Sequence, residues 1–155
     1  MSKTLTIGSV LPDITLRDQN DQVVRLHDFI DRTPLVIYFY PKDETPGCIA
    51  EACSFRDQFE DFESAGAKVF GISGDSVKSH FNFAKRLRLK FLLLSDVGRK
   101  AEKVFGVERN MFGLIPGRVT FVFDKKGKLQ YEFSSAVQVT KHITEALTAL
   151  KKLAD

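Results

Sequence analysis

The 155-residue sequence predicts an α/β fold, a central mixed sheet with helices on both faces and an N-terminal hairpin. Three observations point there. Continuous apolar runs of strand length alternate with stretches of helical period. Two of those strand–helix–strand passages demand parallel neighbours. A turn-centred pair of short strands sits at each end of the series.

Taken in order, residues 14–17 and 23–26 flank the turn formers Asp18, Gln19, Asn20 and Asp21 and read as the opening hairpin. Residues 35–40, Leu-Val-Ile-Tyr-Phe-Tyr, are apolar throughout, as a strand buried on both faces would be, and Pro41 stops them. Over residues 45–64 the positions Cys48, Ala52, Phe55, Phe59 and Phe62 fall on one helical stripe, and Gly66 closes that helix. Residues 68–73 read as a strand, followed past Gly74 by a helix whose inner face is Val77, Phe81, Ala84 and Leu87. Residues 91–94 form a strand, 99–105 a short helix and 106–117 a loop. Residues 119–123 and 129–133 make a second hairpin around Lys125-Lys126-Gly127. The last helix carries Val139, Ile143, Leu147, Leu150 and Leu153 on one side. This is the layout of a thioredoxin-like sandwich in a single domain spanning residues 1–155, where sites form beyond the carboxyl ends of parallel strands. Residues 40–48 occupy that place.

Composition narrows the function classes. The chain is 43% hydrophobic and 28% charged, a globular balance, and its net charge of +3 gives no reason to expect nucleic acid as a partner. The longest strongly apolar run, residues 35–40, is far short of the roughly 20 residues of a membrane-spanning helix, so no membrane partner is expected. The opening residues lack the basic-then-apolar pattern of a secretory signal; a cytoplasmic or similarly reducing location is expected, with a plastid or other organelle left open if a transit peptide has been removed. Two cysteines occur, Cys48 and Cys53, within one helix turn and a half. In a reducing compartment such a close pair points to reactivity or metal binding before structural stapling.

Thr45 before Pro46 reads as an N-cap with proline at the first helical position, which makes Cys48 the third. A thiolate there would face unpaired N–H groups and the positive end of the helix dipole, so its pKa is expected below the ordinary thiol value. Burial on the inner stripe works the other way, and the site therefore needs a cation. Other readings stand beside these. Cys48 could be a small core hydrophobe, Thr45 only a cap, Pro41 only a strand terminator and Cys53 an inert thiol. Glu51 could support a cation or simply favour the helix start. His27, His80 and His142 are scattered and read as surface or cap residues; a cysteine pair with four intervening residues and no second pair is no zinc signal. Lys85, Arg86, Arg88 and Lys90 read as the wet face of their helix, with a docking surface for an acidic reductase as the weaker alternative.

The run Pro41-Lys42-Asp43-Glu44-Thr45-Pro46-Gly47-Cys48 resembles the Pro-x-x-x-Thr/Ser-x-x-Cys signature of peroxiredoxins, and Cys53 resembles the second cysteine of the bacterioferritin-comigratory-protein or peroxiredoxin Q subgroup. The similarity continues through residues 24–29, 71–76 and 118–124. The resemblance implies that Cys48 is the peroxidatic nucleophile, Thr45 its hydroxyl partner, Pro41 the residue that shields the pocket, Arg118 the required cation and Cys53 the resolving cysteine. It implies an enzyme without metal or organic cofactor that reduces hydrogen peroxide or organic hydroperoxides as an atypical two-cysteine monomer, recycled by thioredoxin or glutaredoxin. A thioredoxin-type exchange protein and a non-catalytic redox sensor or holdase are the alternatives. Cys48 and Cys53 are five residues apart, about 8.6 Å between Cα atoms in an unbroken helix, against a disulfide limit of about 7 Å, so a bridge between them requires the helix to unwind.

Overall fold

The computed structural model describes residues 5–110 and 115–153. Strand β1 (Thr15–Asp18) pairs with β2 (Val23–Arg25) as the expected antiparallel hairpin, and β1 then joins the main sheet along β5. The sheet continues with β3 (Leu35–Phe39), β4 (Lys68–Ser73), β5 (Leu92–Ser95), β8 (Val119–Phe123) and β9 (Leu129–Ser134), in the spatial order β2-β1-β5-β4-β3-β8-β9. β3, β4 and β5 run parallel, as two crossovers through helices require, and β8 and β9 add the antiparallel hairpin. This is the thioredoxin fold that the alternation of patterns implied.

β3 is buried over its whole length because both faces of the sheet are covered. Val36, Tyr38 and Tyr40 point into a core shared with α1 (Pro46–Asp57), α2 (Phe59–Ser64), α3 (Val77–Leu87) and α5 (Lys141–Leu153). Leu35, Ile37 and Phe39 point into a second core closed by α4 (Lys100–Phe105) and the N-terminal segment. Gly71 is needed on the first face: a Cβ there would come within 2.8 Å of the Tyr38 ring and 2.9 Å of Leu93. Gly71→Ala should therefore cost about 1–3 kcal/mol by overpacking, read as a lower denaturant midpoint with unchanged slope.

Four details differ from the sequence reading. The expected helix over residues 45–64 is two helices broken at Gln58, whose ψ of 18° ends α1 and starts α2. Seven residues still bring Phe55 and Phe62 to one side, with ring centroids 5.4 Å apart, so apolar period alone does not register the break. α3 turns a different face inward: His80, Phe83, Ala84 and Leu87 are buried while Phe81 is 44% exposed. A polar residue at the head of that stripe hid it from a hydrophobic count. His80 and His142 are fully buried rather than superficial. Residues 106–117 contain a two-residue ladder, β6 (Arg109–Asn110) with β7 (Ile115–Pro116), and residues 111–114 between them lie outside the described set. Gly66 does close the helix, at a φ of +76° that favours glycine.

Candidate active site

β3 delivers the chain to the carboxyl edge of the parallel strands, and Pro46, fixed at a helical φ, opens α1 there. Cys48 is the third residue of α1, 1% exposed, with a free thiol. Arg118 reaches it from the segment leading into β8: Nη2 lies 3.5 Å from Cys48 Sγ. The guanidinium crosses α1 over Gly47, where a Cβ would meet Nη2 at 3.0 Å, so a bare glycine makes room for the contact.

Arg118 is itself held. Nη1 donates to Glu51 Oε1 at 2.5 Å, and Glu51, one turn after Cys48 on α1, is fully buried. One guanidinium thus bridges the sulfur and a carboxyl group. Burial works against the Arg118 charge, but Glu51 and Cys48 outweigh it and raise the Arg118 pKa. Burial pushes the Glu51 carboxyl up to about 8, with Arg118 opposing. Its second oxygen, Oε2, has no hydrogen-bond partner among the described residues. Behind it His142 Nδ1 lies 3.7 Å away, tied instead to Thr120 Oγ1 at 2.7 Å, while Nε2 donates to the Ser135 carbonyl at 2.9 Å. Burial lowers the His142 pKa, so the ring meets Glu51 uncharged.

A folded carboxyl with a raised pKa binds a proton that the unfolded chain has released, so stability falls as pH rises between the two values. For Glu51 the contribution is complete below about pH 4.5 and is lost as pH climbs through about 8. Each pH unit across that window is worth up to about 1.4 kcal/mol. Denaturant titrations from pH 5 to 9 should show this decline in the parent chain and a flatter profile in Glu51→Gln.

The other expected residues fall out as follows. Cys53 lies on the same unbroken α1, half-buried and free. Thr45 stands at the N-cap position of α1 but caps no helical N–H; its Oγ1 donates instead to the Lys42 carbonyl at 2.8 Å and so closes the loop before the helix. Pro41, half-buried just past β3, lines a cleft of about 370 Å³ with Lys42, Asp75, Asp96, Glu102 and Arg109. The structure therefore joins Cys48 and Arg118 directly and sets Thr45 and Pro41 in the loop that leads to them. The sequence reading left Glu51 undecided and missed His142, since only the fold carries residue 118 and residue 142 to α1.

Comparison with known proteins fixes the lineage. The AhpC/TSA family profile matches residues 7–132. The chain belongs to that family. A curated relative named "Peroxiredoxin Q, chloroplastic" from Triticum aestivum is 51% identical over 146 residues, covering 94% of this chain and 67% of its own. The solved structure of a PrxQ variant from Xylella fastidiosa superposes with a TM-score of 0.90 at 32% identity, covering 99% of each chain. That of the bacterioferritin comigratory protein of Xanthomonas campestris, described for its alkyl peroxide reduction activity, gives 0.84 at 33% identity over 95% of this chain and 99% of that one. Within the AhpC/TSA family the chain is a peroxiredoxin of the peroxiredoxin Q and bacterioferritin-comigratory-protein group, as the motif around Cys48 implied.

Proposed function

We propose that this peroxiredoxin carries out its peroxidase chemistry on Cys48, and the observation that supports this reading most is the Arg118 guanidinium 3.5 Å from a buried free thiol. The Cys48 thiolate attacks one oxygen of hydrogen peroxide or an alkyl hydroperoxide. An S–O bond forms, the O–O bond breaks, and hydroxide or alkoxide leaves and takes up a proton. Negative charge moves from sulfur to the departing oxygen, and Arg118, always charged and fixed by Glu51, stands where it can follow that movement.

The product is a sulfenic acid on Cys48. The Cys53 thiolate then attacks Cys48 Sγ, an S–S bond forms and hydroxide leaves with a proton as water. Both cysteines sit on one continuous α1, so this step needs the turns between them to open. An external dithiol, thioredoxin or glutaredoxin, donates two electrons by exchange through a mixed disulfide and restores both thiols. Resolution inside one chain needs no second subunit, and a monomer in a reducing compartment such as the cytoplasm completes the reading. The wheat relative named above is chloroplastic, which extends the same reading to an organelle. The exchange-protein and sensor alternatives lose ground to a family whose relatives are named peroxiredoxins.

The experiment is mass spectrometry of the reduced protein after one equivalent of peroxide. A Cys48–Cys53 crosslink inside one molecule is expected, and Cys53→Ser should complete the first turnover yet stop at the sulfenic acid. A crosslink between two chains, or loss of the first turnover in Cys53→Ser, would contradict the assignment.

A further inference from the structure

We propose that Asp43 and His80 form a buried clamp whose role is to position the loop over residues 41–45, and through it the first turn of α1, so that Cys48 meets Arg118. The inference rests on the reading of Cys48 as the attacking residue. Asp43 lies between exposed Lys42 and Glu44 in that loop, yet is only 3% exposed. A carboxylate withdrawn from water persists only where its oxygens are satisfied. Here Oδ1 accepts from Tyr40 Oη at 2.6 Å and Oδ2 from Ser79 Oγ at 2.8 Å, while His80 Nδ1 lies 2.7 Å from Oδ2. His80 is 0% exposed, and its Nε2 donates to the Leu94 carbonyl at 3.1 Å. The carbonyl can only accept, so the hydrogen on Nε2 is fixed, and the short Nδ1–Oδ2 contact is a proton held between ring and carboxyl group.

This arrangement pins the loop to α3 and, through Leu94, to β5. The backbone is pinned too: Asp43 N–H donates to Asp75 Oδ2 at 2.8 Å, and Ser73 Oγ holds the same oxygen at 2.6 Å. Asp43, Asp75 and His80 bring ligand-type atoms within 4.8 Å of one another, but the Asp43, His80 and Asp75 Oδ2 atoms already have partners, so the cluster closes on itself. From the clamp the tie runs forward. Thr45 Oγ1 holds the Lys42 carbonyl, and the Thr45 carbonyl accepts from Ile49 N–H at 2.8 Å to open α1. Glu44, in between, sits at a φ of +64° and pairs with Arg86 of α3. That left-handed conformation disfavours a non-glycine residue and persists because both flanks are anchored. Cys48 Sγ is 3.5 Å from Nη2, so a drift of α1 by about 1 Å would break the contact that drives the chemistry. Neither Asp43 nor His80 is placed to touch the peroxide; both are positioning residues.

Two isosteric variants separate this role from ordinary packing. H80N keeps an amide nitrogen near the Nδ1 position and so keeps Asp43, giving up Leu94. H80Q keeps one near Nε2 and gives up Asp43. Each loses one buried hydrogen bond, and H80Q, which leaves the buried Asp43 carboxyl group without its ring partner, should melt lower than H80N. The rate of Cys48 oxidation by hydrogen peroxide, followed by rapid quench and mass spectrometry, should fall about 10-fold or more in H80Q and stay near the parent value in H80N. Equal rates in the two variants would overturn the clamp. D43A, which removes the acceptor shared by Tyr40, Ser79 and His80, provides the same reading if H80Q fails to fold: it should slow the step as H80Q would, and a parent-like rate there would overturn the proposal. A parent chain that does not react at Cys48 would instead overturn the underlying site assignment.

Discussion

Cys48→Ser should abolish peroxide reduction while leaving the fold intact. The serine oxygen can occupy the same place beside Arg118, but its hydroxyl does not ionise near neutral pH and cannot supply the attacking pair that sulfur does. Loss of a nucleophile that acts with its partners as a unit leaves little behind, and the rate should fall by at least about 10³-fold. Stability should change by only about 1 kcal/mol, because the position is buried but the substitution removes little volume. Circular dichroism and a denaturant midpoint close to the parent's, combined with no peroxide consumed in an assay with excess dithiol, would complete the result. Residual turnover at a tenth of the parent rate would mean that another group breaks the O–O bond.

Arg118 carries the second large effect, and its two contacts allow stability and rate to be separated. Arg118→Met removes the charge beside the sulfur and, in the proposed mechanism, beside the departing oxygen, and kcat/KM for hydrogen peroxide should fall by about 10²–10³-fold, the scale of a lost transition-state donor in a closed site. It also strands Glu51. A buried charge left without its partner commonly costs about 3–5 kcal/mol, but Glu51 already titrates near 8 and can stay protonated, so the loss should lie at the low end of that range at pH 6 and grow toward pH 9. Arg118→Lys restores a cation for Glu51 but cannot hold Oε1 and Sγ at once as Nη1 and Nη2 do. Stability should recover with lysine and the rate should not. A lysine variant with the parent rate would show that any nearby charge suffices and that the two-point grip is not used.

Much of this was legible in the sequence because the informative signals are local. The apolar run over residues 35–40 needs no partner to be read as a buried strand, and Pro46 followed by Cys48 places sulfur in a first helical turn without reference to the rest of the chain. The parallel arrangement of β3, β4 and β5 follows from the handedness of short crossovers. What spacing alone does not give depends on contacts between distant residues, and Arg118 was reached only through the family resemblance. Arg118 and Cys48 are 70 positions apart, His80 and Asp43 are 37 apart, and no spacing rule singles out these arginine, histidine and aspartate residues from the others. Glu51 falls on the buried side of α1 as a charge, which a count of apolar residues passes over, and His80 replaces an apolar residue at the head of the α3 stripe for the same reason. Thr45 illustrates the converse. Its cap position was read correctly, but the Lys42 carbonyl, which only the folded loop brings near, takes its hydroxyl.

The most direct test of the account is the bimolecular rate at which Cys48 is oxidised by hydrogen peroxide in the Cys53→Ser chain, where no second cysteine can consume the product. The sequence has no tryptophan to report the step optically, so the reaction is quenched with a thiol alkylator and the modified peptide weighed. The expected rate is orders of magnitude above that of free cysteine at the same pH, and it is lost when Arg118 is replaced by Met. A rate equal to that of free cysteine, unchanged by the loss of Arg118, would contradict it.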